Sequence, residues 1–498
     1  MSTLRKFAGQ TMIYGLSTII ARLLNFVLTP LYVHQYPAKV YGIFTTMYAW
    51  AAMLNAFLAF GMETTFFRYL QKHEHHKNKV YSNTLFVILL ASGLFITFTL
   101  LFTKDIAIWM QNGVYDPDRV RYVKYFAFIL VADALCVIPF ASLRAEGKPL
   151  KFGLIKLTNI LIAVGLNLFF ILGIPAIINH QLPGADWFSS WYRDGWVGYV
   201  FLANLIASII TLIILLPELL KISLRIDKHL LLDMLSYSFP VLIANFSFII
   251  NENFDKIFLE KLLPLGTPDI GIYGAVSKIA IFLSIFINAF RLGAEPFFFS
   301  HAKSPNSRET YAIIMDYFII TMVIIFVGIV SNIEILKYFI KGENIKEQLQ
   351  YWSGLKIVPV LLMAYVFLGI YMNLSIWYKL SDQTRFGLYI SAIGAILTIS
   401  LNYLFIPRFS YVASAWITLV TYAVMMISSY LLGQKNYPIP YHTFKNLAYI
   451  VCSILISWLS FSVFHSNLFI GNGLLVVFLM IIYFSERQQL KRLLSTKR

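Results

Sequence analysis

Apolar runs of about 20 residues recur along the whole chain and are separated by short polar segments. Each run is long enough to cross a hydrocarbon core of about 30 Å as a helix. The pattern therefore predicts an all-α polytopic membrane protein with about 14 transmembrane helices. The predicted spans are residues 7-33, 41-70, 80-102, 121-143, 152-178, 195-217, 234-259, 270-299, 310-330, 354-378, 386-406, 411-432, 443-465 and 467-484.

The composition agrees with this pattern. Of 498 residues, 59% are hydrophobic and 13% are charged, whereas soluble domains are about 25% charged. The first span carries Arg22 and has no A-x-A cleavage site, so we interpret it as a retained helix rather than a signal peptide. The two cysteines, Cys136 and Cys452, are too far apart for a CxxC metal site and lie in different spans, and we expect no metal and no cofactor.

The formal net charge of +16 has two explanations, a nucleic-acid partner or membrane orientation. With a cytoplasmic N-terminus, and with charges near the ends of spans assigned to the adjoining segment, 24 of the 40 Lys and Arg residues are cytoplasmic and 13 are on the opposite side, which leaves Arg22, Lys278 and Arg291 inside spans. This excess follows the positive-inside rule. We therefore expect both termini in the cytoplasm and no nucleic-acid partner.

Two similar phrases indicate an internal repeat. "AFGMETTFFRY" at 59-69 and "RLGAEPFFFSH" at 291-301 place Glu63 and Glu295 in matching positions, 232 residues apart. Chance similarity between Leu- and Phe-rich helices is the alternative, but the matches are ordered and include Gly, Glu and Asn. The further matches are Tyr41-Gly42 with Tyr273-Gly274, Phe152-Gly153 with Phe386-Gly387, and "LNLFF" at 166-170 with "LNYLF" at 401-405.

The repeat predicts two lobes of six helices in one orientation, with a central site between them. The predicted division is an N-terminal lobe at 1-228 and a C-terminal lobe at 229-434, followed by helices 13 and 14 with a basic cytoplasmic tail at 435-498. Spans 3, 9, 13 and 14 are almost unbroken hydrocarbon, so we expect them at the periphery.

Polar residues line one face of spans 1, 2, 7 and 8. Charged residues within a membrane normally face a bundle interior or water. One interpretation is satisfied pairs, such as Arg22 with Glu63 or Arg291 with Glu295 along their own helix. The other is a cavity lined by both lobes, which explains why equivalent helices carry the stripes. The residues concerned are Arg22, Asn25, Glu63, Glu252, Asp255, Lys256, Lys278, Asn288, Arg291 and Glu295.

The charges of this lining favour an anionic substrate. The arginine forks suit phosphate because they donate two bonds to one group and stay charged. Arg22, near the middle of span 1, is the first candidate for substrate contact. Glu63 and Glu295 lie near the predicted cytoplasmic ends of spans 2 and 8, which suits a gate better than the central contact.

The whole chain resembles a known family, the polysaccharide-transporter branch of the multidrug/oligosaccharidyl-lipid/polysaccharide (MOP) exporter superfamily, that is, the Wzx-type O-antigen flippases. "NENFDKIFLEKLL" and "IGIYGAVSKIA" within 251-280 are similar to its acidic-basic pair ending helix 7 and its start to helix 8. "VYGIFTTMYA" at 40-49 is similar to its start of helix 2, and "SLRAEGKPLKFG" at 142-153 to its loop between helices 4 and 5.

The resemblance implies a multi-pass protein of the bacterial inner membrane that moves undecaprenyl-pyrophosphate-linked oligosaccharide between leaflets by alternating access. It assigns substrate binding to Arg22, Lys278 and Arg291, together with Asn25 and Asn288 from the same stripes. It assigns gating or ion coupling to the carboxylates and to Lys256, with a proton or Na⁺ as the coupling ion. Lipid-linked oligosaccharide, the bilayer, and polysaccharide polymerase or assembly proteins are the implied partners.

Three alternatives stay open at the level of sequence. A peptidoglycan-precursor flippase or a small-molecule antiporter of the same superfamily would share the fold. A membrane enzyme such as a polymerase is disfavoured, because the chain has no visible nucleophile-base pair and no long extracytoplasmic loop. The aromatic segment 182-196 suits either an interfacial aromatic belt or sugar stacking.

Overall fold

The computed structural model of the protein describes residues 26–73, 76–222, 226–302 and 304–495. These residues are helical almost throughout and contain no strand. Twelve helices in these ranges are long and apolar enough to cross a membrane, and the longest, Arg385–Asn436, contains two predicted spans. The prediction of an all-α polytopic membrane protein is confirmed.

The helices follow the predicted spans in order. They are α1 (26–35), α2 (Ala38–Lys72), α3 (Lys77–Leu101), α4 (Pro117–Ala145), α5 (Pro149–Asn179), α6 (Gly198–Leu219), α7 (Lys228–Leu262), α8 (Asp269–His301), α9 (Ser307–Ser331), α10 (Ile345–Leu380), α11 (385–409), α12 (411–436), α13 (Thr443–Val463) and α14 (Leu468–Ser495).

Local sequence explains several helix ends. Asp116 caps α4 by accepting a hydrogen bond from the Asp118 N–H at 2.9 Å, and Asp227 caps α7 by accepting one from the Leu230 N–H at 3.2 Å. Proline opens α4 and α5, where its missing N–H costs no helical bond. Between α11 and α12, Ser410 has φ 50° and ψ −140°, and its hydroxyl donates to the Asp269 carboxylate.

Packing divides the chain into two compact units. The first contains the described residues up to Gly274 together with Gly342–Glu347 and Ala395–Tyr411, and the second contains the rest. In the first unit, α4 contacts α2, α3 and α6 and is the most buried helix, and α7 packs along α2. The predicted boundaries at 228 and 434 rest on the repeat in the sequence, and they stay a prediction.

In the second unit, α9 packs against α10, α13 and α14. The most apolar window of α9 is 61% buried, compared with 17% for α14. The expectation that span 9 is peripheral is therefore wrong, whereas the corresponding windows of α3, α13 and α14 are only 28%, 33% and 17% buried. Apolar composition does not distinguish a lipid-facing helix from a central one, because both environments accept the same side chains.

The starts of α2 and α8 approach each other at glycines. A Cβ atom on Gly271 would lie 1.7 Å from the Ala38 carbonyl oxygen, and one on Gly274 would lie 2.2 Å from the Thr45 hydroxyl. Real carbon atoms cannot approach so closely, so only glycine permits this crossing. The "IGIYG" phrase therefore encodes a close contact between two helix backbones.

Candidate functional site

Two half-exposed ion pairs occupy equivalent positions in the two units. Glu63 on α2 accepts from Arg144 near the end of α4, and Glu295 on α8 accepts from Lys379 at the end of α10. The acidic residues are 232 positions apart and the basic residues 235. The repeat that matched Glu63 with Glu295 thus extends to their partners.

The turns that follow the basic residues also correspond. Gly147, three residues after Arg144, has φ 68°, and Asp382, three residues after Lys379, has φ 55°. A residue with positive φ commonly ends a helix, and glycine and aspartate tolerate it better than most residues. In each unit, therefore, the helix that carries the basic residue of the pair is followed by a residue with positive φ.

Arg291 and Glu295 line one small cavity in the second unit, which measures about 310 Å³ when the open space at its mouth is included. They lie one helical turn apart on α8, but Glu295 is paired with Lys379 rather than with Arg291. Within the described residues, Arg291 has no ion-pair partner. The cavity is lined by Ile287, Phe290, Arg291, Ala294, Glu295, Phe298, Phe318, Gly369, Met372, Asn373, Ser375, Ile376 and Lys379.

Asn373 adds an amide to this cavity. Its side chain is 8% exposed, and its Nδ2 has no hydrogen-bond partner among the described residues. A buried donor without a partner costs about 1–3 kcal/mol. The cavity therefore offers a guanidinium, an amine and an unused amide donor against one carboxylate, which suits an anion with several oxygens.

Other predicted residues of α8 lie apart from this cavity. Asn288 donates to the Ser284 carbonyl oxygen of its own helix at 2.7 Å. Neither Asn288 nor Lys278 is among the lining residues, and Lys278 is half-buried. The structure therefore brings Arg291 and Glu295 together with Lys379 in one cavity. Asn288 and Lys278 are not part of its lining. The predicted contacts Arg22 and Asn25 lie outside the described residues.

The predicted acidic-basic pair near the end of α7 is a compact polar cluster. The Lys256 amine lies 2.9 Å from Asp255 Oδ1 and donates to the Glu252 carbonyl oxygen at 2.6 Å. The Tyr273 hydroxyl on α8 donates to the other Asp255 oxygen. Asp255 is buried, and Glu252 and Lys256 are half-buried. This cluster ties α7 to the start of α8.

A second buried pair was missed by the sequence reasoning. Arg119 on α4 donates to Glu260 on α7 at 2.7 Å, and Thr46 on α2 donates to the same carboxylate oxygen at 3.1 Å. The side chains of Arg119 and Glu260 are 3% and 6% exposed. In the sequence, Arg119 is one of several charged residues in "PDRVRY", at the end of a predicted loop. Its partner Glu260 lies 141 residues away. The one signal in the sequence is Glu260 inside the "NENFDKIFLEKLL" phrase.

The arrangement can be compared with known proteins. Residues 7–182 match a family described as Polysaccharide biosynthesis protein. A search of curated protein sequences found no match.

Solved structures share the fold. "Lipid II flippase MurJ, inward closed conformation" is similar over 95% of this chain and 99% of its own, with a TM-score of 0.71 and 16% identity. "Inward-facing conformation of a multidrug resistance MATE family transporter of the MOP superfamily" is similar over 83% of this chain and 94% of its own, with a TM-score of 0.64 and 14% identity. The chain therefore shares the fold of these two transporters, and its residues 7–182 match the polysaccharide biosynthesis family.

Proposed function

We propose that this protein is a flippase that moves undecaprenyl-pyrophosphate-linked oligosaccharide across the bacterial inner membrane, for polysaccharide or lipopolysaccharide biosynthesis. The observation that carries the proposal is the Arg291 cavity, whose donors suit a phosphate group. The polysaccharide family match over residues 7–182 supports the same substrate class.

The residues of the cavity have distinct roles in this proposal. Arg291, without an ion-pair partner among the described residues, donates its planar fork to a phosphate. Lys379 breaks its ion pair with Glu295 and pairs with the phosphate instead. Asn373 uses its unpaired amide on a phosphate oxygen or a sugar hydroxyl. Arg22 and Asn25, predicted on the equivalent face of span 1, supply the contacts of the N-terminal lobe.

The paired carboxylates act as gates at the predicted cytoplasmic side. Glu63 and Glu295 are 46% and 36% exposed, and half-exposed ion pairs exchange partners at little cost. An entering anion competes with each carboxylate for its cation. The same carboxylates are the candidates for binding a proton or Na⁺, should transport be coupled to a gradient.

The location and partners follow from this function. We place both termini in the cytoplasm, as the distribution of Lys and Arg favours. Alternating access of the two predicted lobes carries the substrate outward, where a polysaccharide polymerase or assembly protein receives it. The transporter folds that the chain shares favour transport over enzymatic chemistry.

A peptidoglycan-precursor flippase is the second candidate. It is favoured by the similarity to the lipid II flippase over 95% of this chain. A small-molecule antiporter, as in the MATE structures, is a further alternative.

Reconstitution separates these candidates. Proteoliposomes would be loaded on one leaflet with radiolabelled lipid-linked oligosaccharide or with lipid II, and an impermeant glycosidase or transpeptidase would report arrival at the other leaflet. We expect the protein to accelerate translocation of the oligosaccharide over protein-free vesicles. Acceleration of lipid II alone would favour the second candidate, and acceleration of neither would contradict both.

A further inference from the structure

Two cavities in the first unit meet at a pair of tryptophans. Trp50 on α2 and Trp109 in the short helix Thr103–Met110 pack edge to face, with ring centroids 5.5 Å apart, and both rings line both cavities. Both cavities lie near the end of α3 and the start of α4, on the predicted extracytoplasmic side.

The first cavity is apolar. It is a cleft of about 990 Å³, including the open space at its mouth, between α2, α3, the short helix and α4, and Thr99 has the only side-chain hydroxyl among the described lining residues. Its rim lies on the surface of the first unit, since Phe98 and Trp109 are each 58% exposed. A hydrocarbon chain in the membrane can therefore enter it directly. The lining residues are Met47, Trp50, Ala51, Leu54, Phe95, Phe98, Thr99, Ile106, Trp109, Met110, Val123, Phe126, Ala127 and Leu130.

The second cavity has a polar end. It measures about 950 Å³, including the open space at its mouth, and it is lined by Asn112 and Lys261 as well as by aromatic side chains of α7. The Lys261 amine lies 3.9 Å from the centre of the Trp109 ring and donates to the Trp109 carbonyl oxygen. Asn112 donates to the Lys261 carbonyl oxygen at 3.2 Å.

The acid next to Lys261 in the sequence does not form an ion pair with it. The neighbouring carboxylate, Glu260, is bound by Arg119 instead. Among the described residues, Lys261 has no ion-pair partner. The Lys261 side chain is half-buried, with its amine over the Trp109 ring, and its positive charge attracts an anion to the point where the two cavities join.

We propose that these cavities bind polyprenyl phosphate, with the isoprenoid chain in the apolar cavity and the phosphate at Lys261. The proposal rests on the proposed function, because it assigns the lipid part of that substrate an exit site in the outer leaflet. One chain-sized compartment joined to one cationic end matches a single-chain lipid, whereas a glycerophospholipid has two chains to bury.

The apolar cavity argues against the glycan as its occupant. Sugar hydroxyls buried without hydrogen-bond partners are strongly disfavoured, and the described lining offers only the Thr99 hydroxyl and the indole N–H groups of Trp50 and Trp109, too few for a glycan. The sugar part of the substrate belongs instead at a polar surface. The two parts of the molecule are thus recognised at separate places.

Photo-crosslinking tests this site in the full-length protein in nanodiscs. The probe is an isoprenyl monophosphate with a diazirine at the end of its chain, and labelled peptides are identified by mass spectrometry. We expect labelling of residues that line the apolar cavity. Ala51→Phe fills that cavity and should reduce the labelling about tenfold, whereas Leu90→Phe, on the exposed face of α3, should leave it unchanged.

The phosphate contact has its own control. Lys261→Gln should weaken competition by the isoprenyl phosphate about tenfold, without changing competition by the matching isoprenyl alcohol. Lys104→Gln, an exposed lysine outside both cavities, should change neither. Equal labelling of the Ala51→Phe and Leu90→Phe proteins, or equally strong competition by phosphatidylglycerol, would overturn the proposal.

Binding to this site does not require translocation, so the two proposals fail separately. A protein that translocates lipid-linked oligosaccharide without labelling at the cavity would overturn the exit site alone. Labelling at the cavity without any translocation would contradict the proposed flippase and support the lipid site.

Discussion

One ion pair at the predicted extracytoplasmic side and two at the predicted cytoplasmic side differ in burial. Arg119 and Glu260, toward the extracytoplasmic side, are 3% and 6% exposed. Glu63 and Arg144, toward the cytoplasmic side, are 46% and 31% exposed, and Glu295 and Lys379 resemble them. Ion pairs of the same chemical kind are thus buried away from water in one place and partly exposed to it in another.

This difference separates structural from exchangeable charges. Removing one partner of a buried pair leaves the other charge without water or a counter-ion, which costs about 3–5 kcal/mol. An exposed pair contributes about 0–1 kcal/mol, because water replaces the lost partner. We infer that Arg119–Glu260 stabilises the packing of α4 on α7, while the half-exposed pairs are available to a substrate.

The largest effect on stability is expected at the buried pair. Glu260→Ala should lower the free energy of unfolding by about 3–5 kcal/mol, because Arg119 stays buried without a counter-ion. Thermal unfolding of the purified protein in detergent measures the change. The double variant Arg119→Leu/Glu260→Leu should recover most of the loss, and a double variant as unstable as the single one would contradict this interpretation.

Arg291 should matter for transport rather than for folding. Arg291→Ala removes the phosphate donor and should slow translocation of lipid-linked oligosaccharide about tenfold to a hundredfold in proteoliposomes. The amount of folded protein should not change. Arg308→Ala, an exposed arginine stacked on Tyr437, is the matched control. A normal rate in the Arg291→Ala protein would exclude this residue from the substrate site.

The half-exposed pairs should show the opposite balance to Arg119–Glu260. Glu63→Gln and Glu295→Gln should each change the free energy of unfolding by no more than about 1 kcal/mol. Each should nevertheless alter the translocation rate if its carboxylate gates the path. The free energy of unfolding and the translocation rate would be measured on the same preparations. A stability loss as large as that of Glu260→Ala would contradict the distinction between half-exposed and buried pairs.

The smallest effect is expected at the half-exposed Asp227. Its hydrogen bond from the Leu230 N–H, aided by Lys79 at 3.4 Å, holds the pKa of its carboxyl below the usual range. Because this pKa is lowered by folding, the stabilisation is present at neutral pH and is lost as the pH falls through the lowered pKa. Unfolding midpoints measured from neutral to acidic pH should fall slightly less for Asp227→Asn, which keeps a cap without a charge. Identical pH curves would show that the cap charge is irrelevant.

Much of the fold could be read from the sequence. Within the described residues, helix existence and order were predicted correctly because each span is predominantly apolar over a membrane length. The spacing of the repeat was enough to place Glu63 and Glu295 in equivalent positions. The prediction failed for α9, because a helix buried among other helices and one facing lipid have the same apolar composition.

The ion-pair partners of the charged residues could not be predicted from the sequence. Arg144 is 81 residues from Glu63, and Lys379 is 84 residues from Glu295. Helical phase identifies the face on which a charge lies, but not which distant helix packs against that face. The pairings considered from spacing, Arg291 with Glu295 and Arg22 with Glu63, were therefore incomplete: both glutamates bind basic residues at the ends of other helices.

The sequence by itself determined the membrane class, the helix order and the duplicated carboxylates, because these depend on hydrophobicity and spacing along one chain. Only the tertiary structure decided which charges are buried, which share a cavity and which apolar surfaces enclose space. Those properties depend on contacts between helices that are remote in sequence, and the free energy of a charge is set by the water and counter-ions that such contacts leave around it.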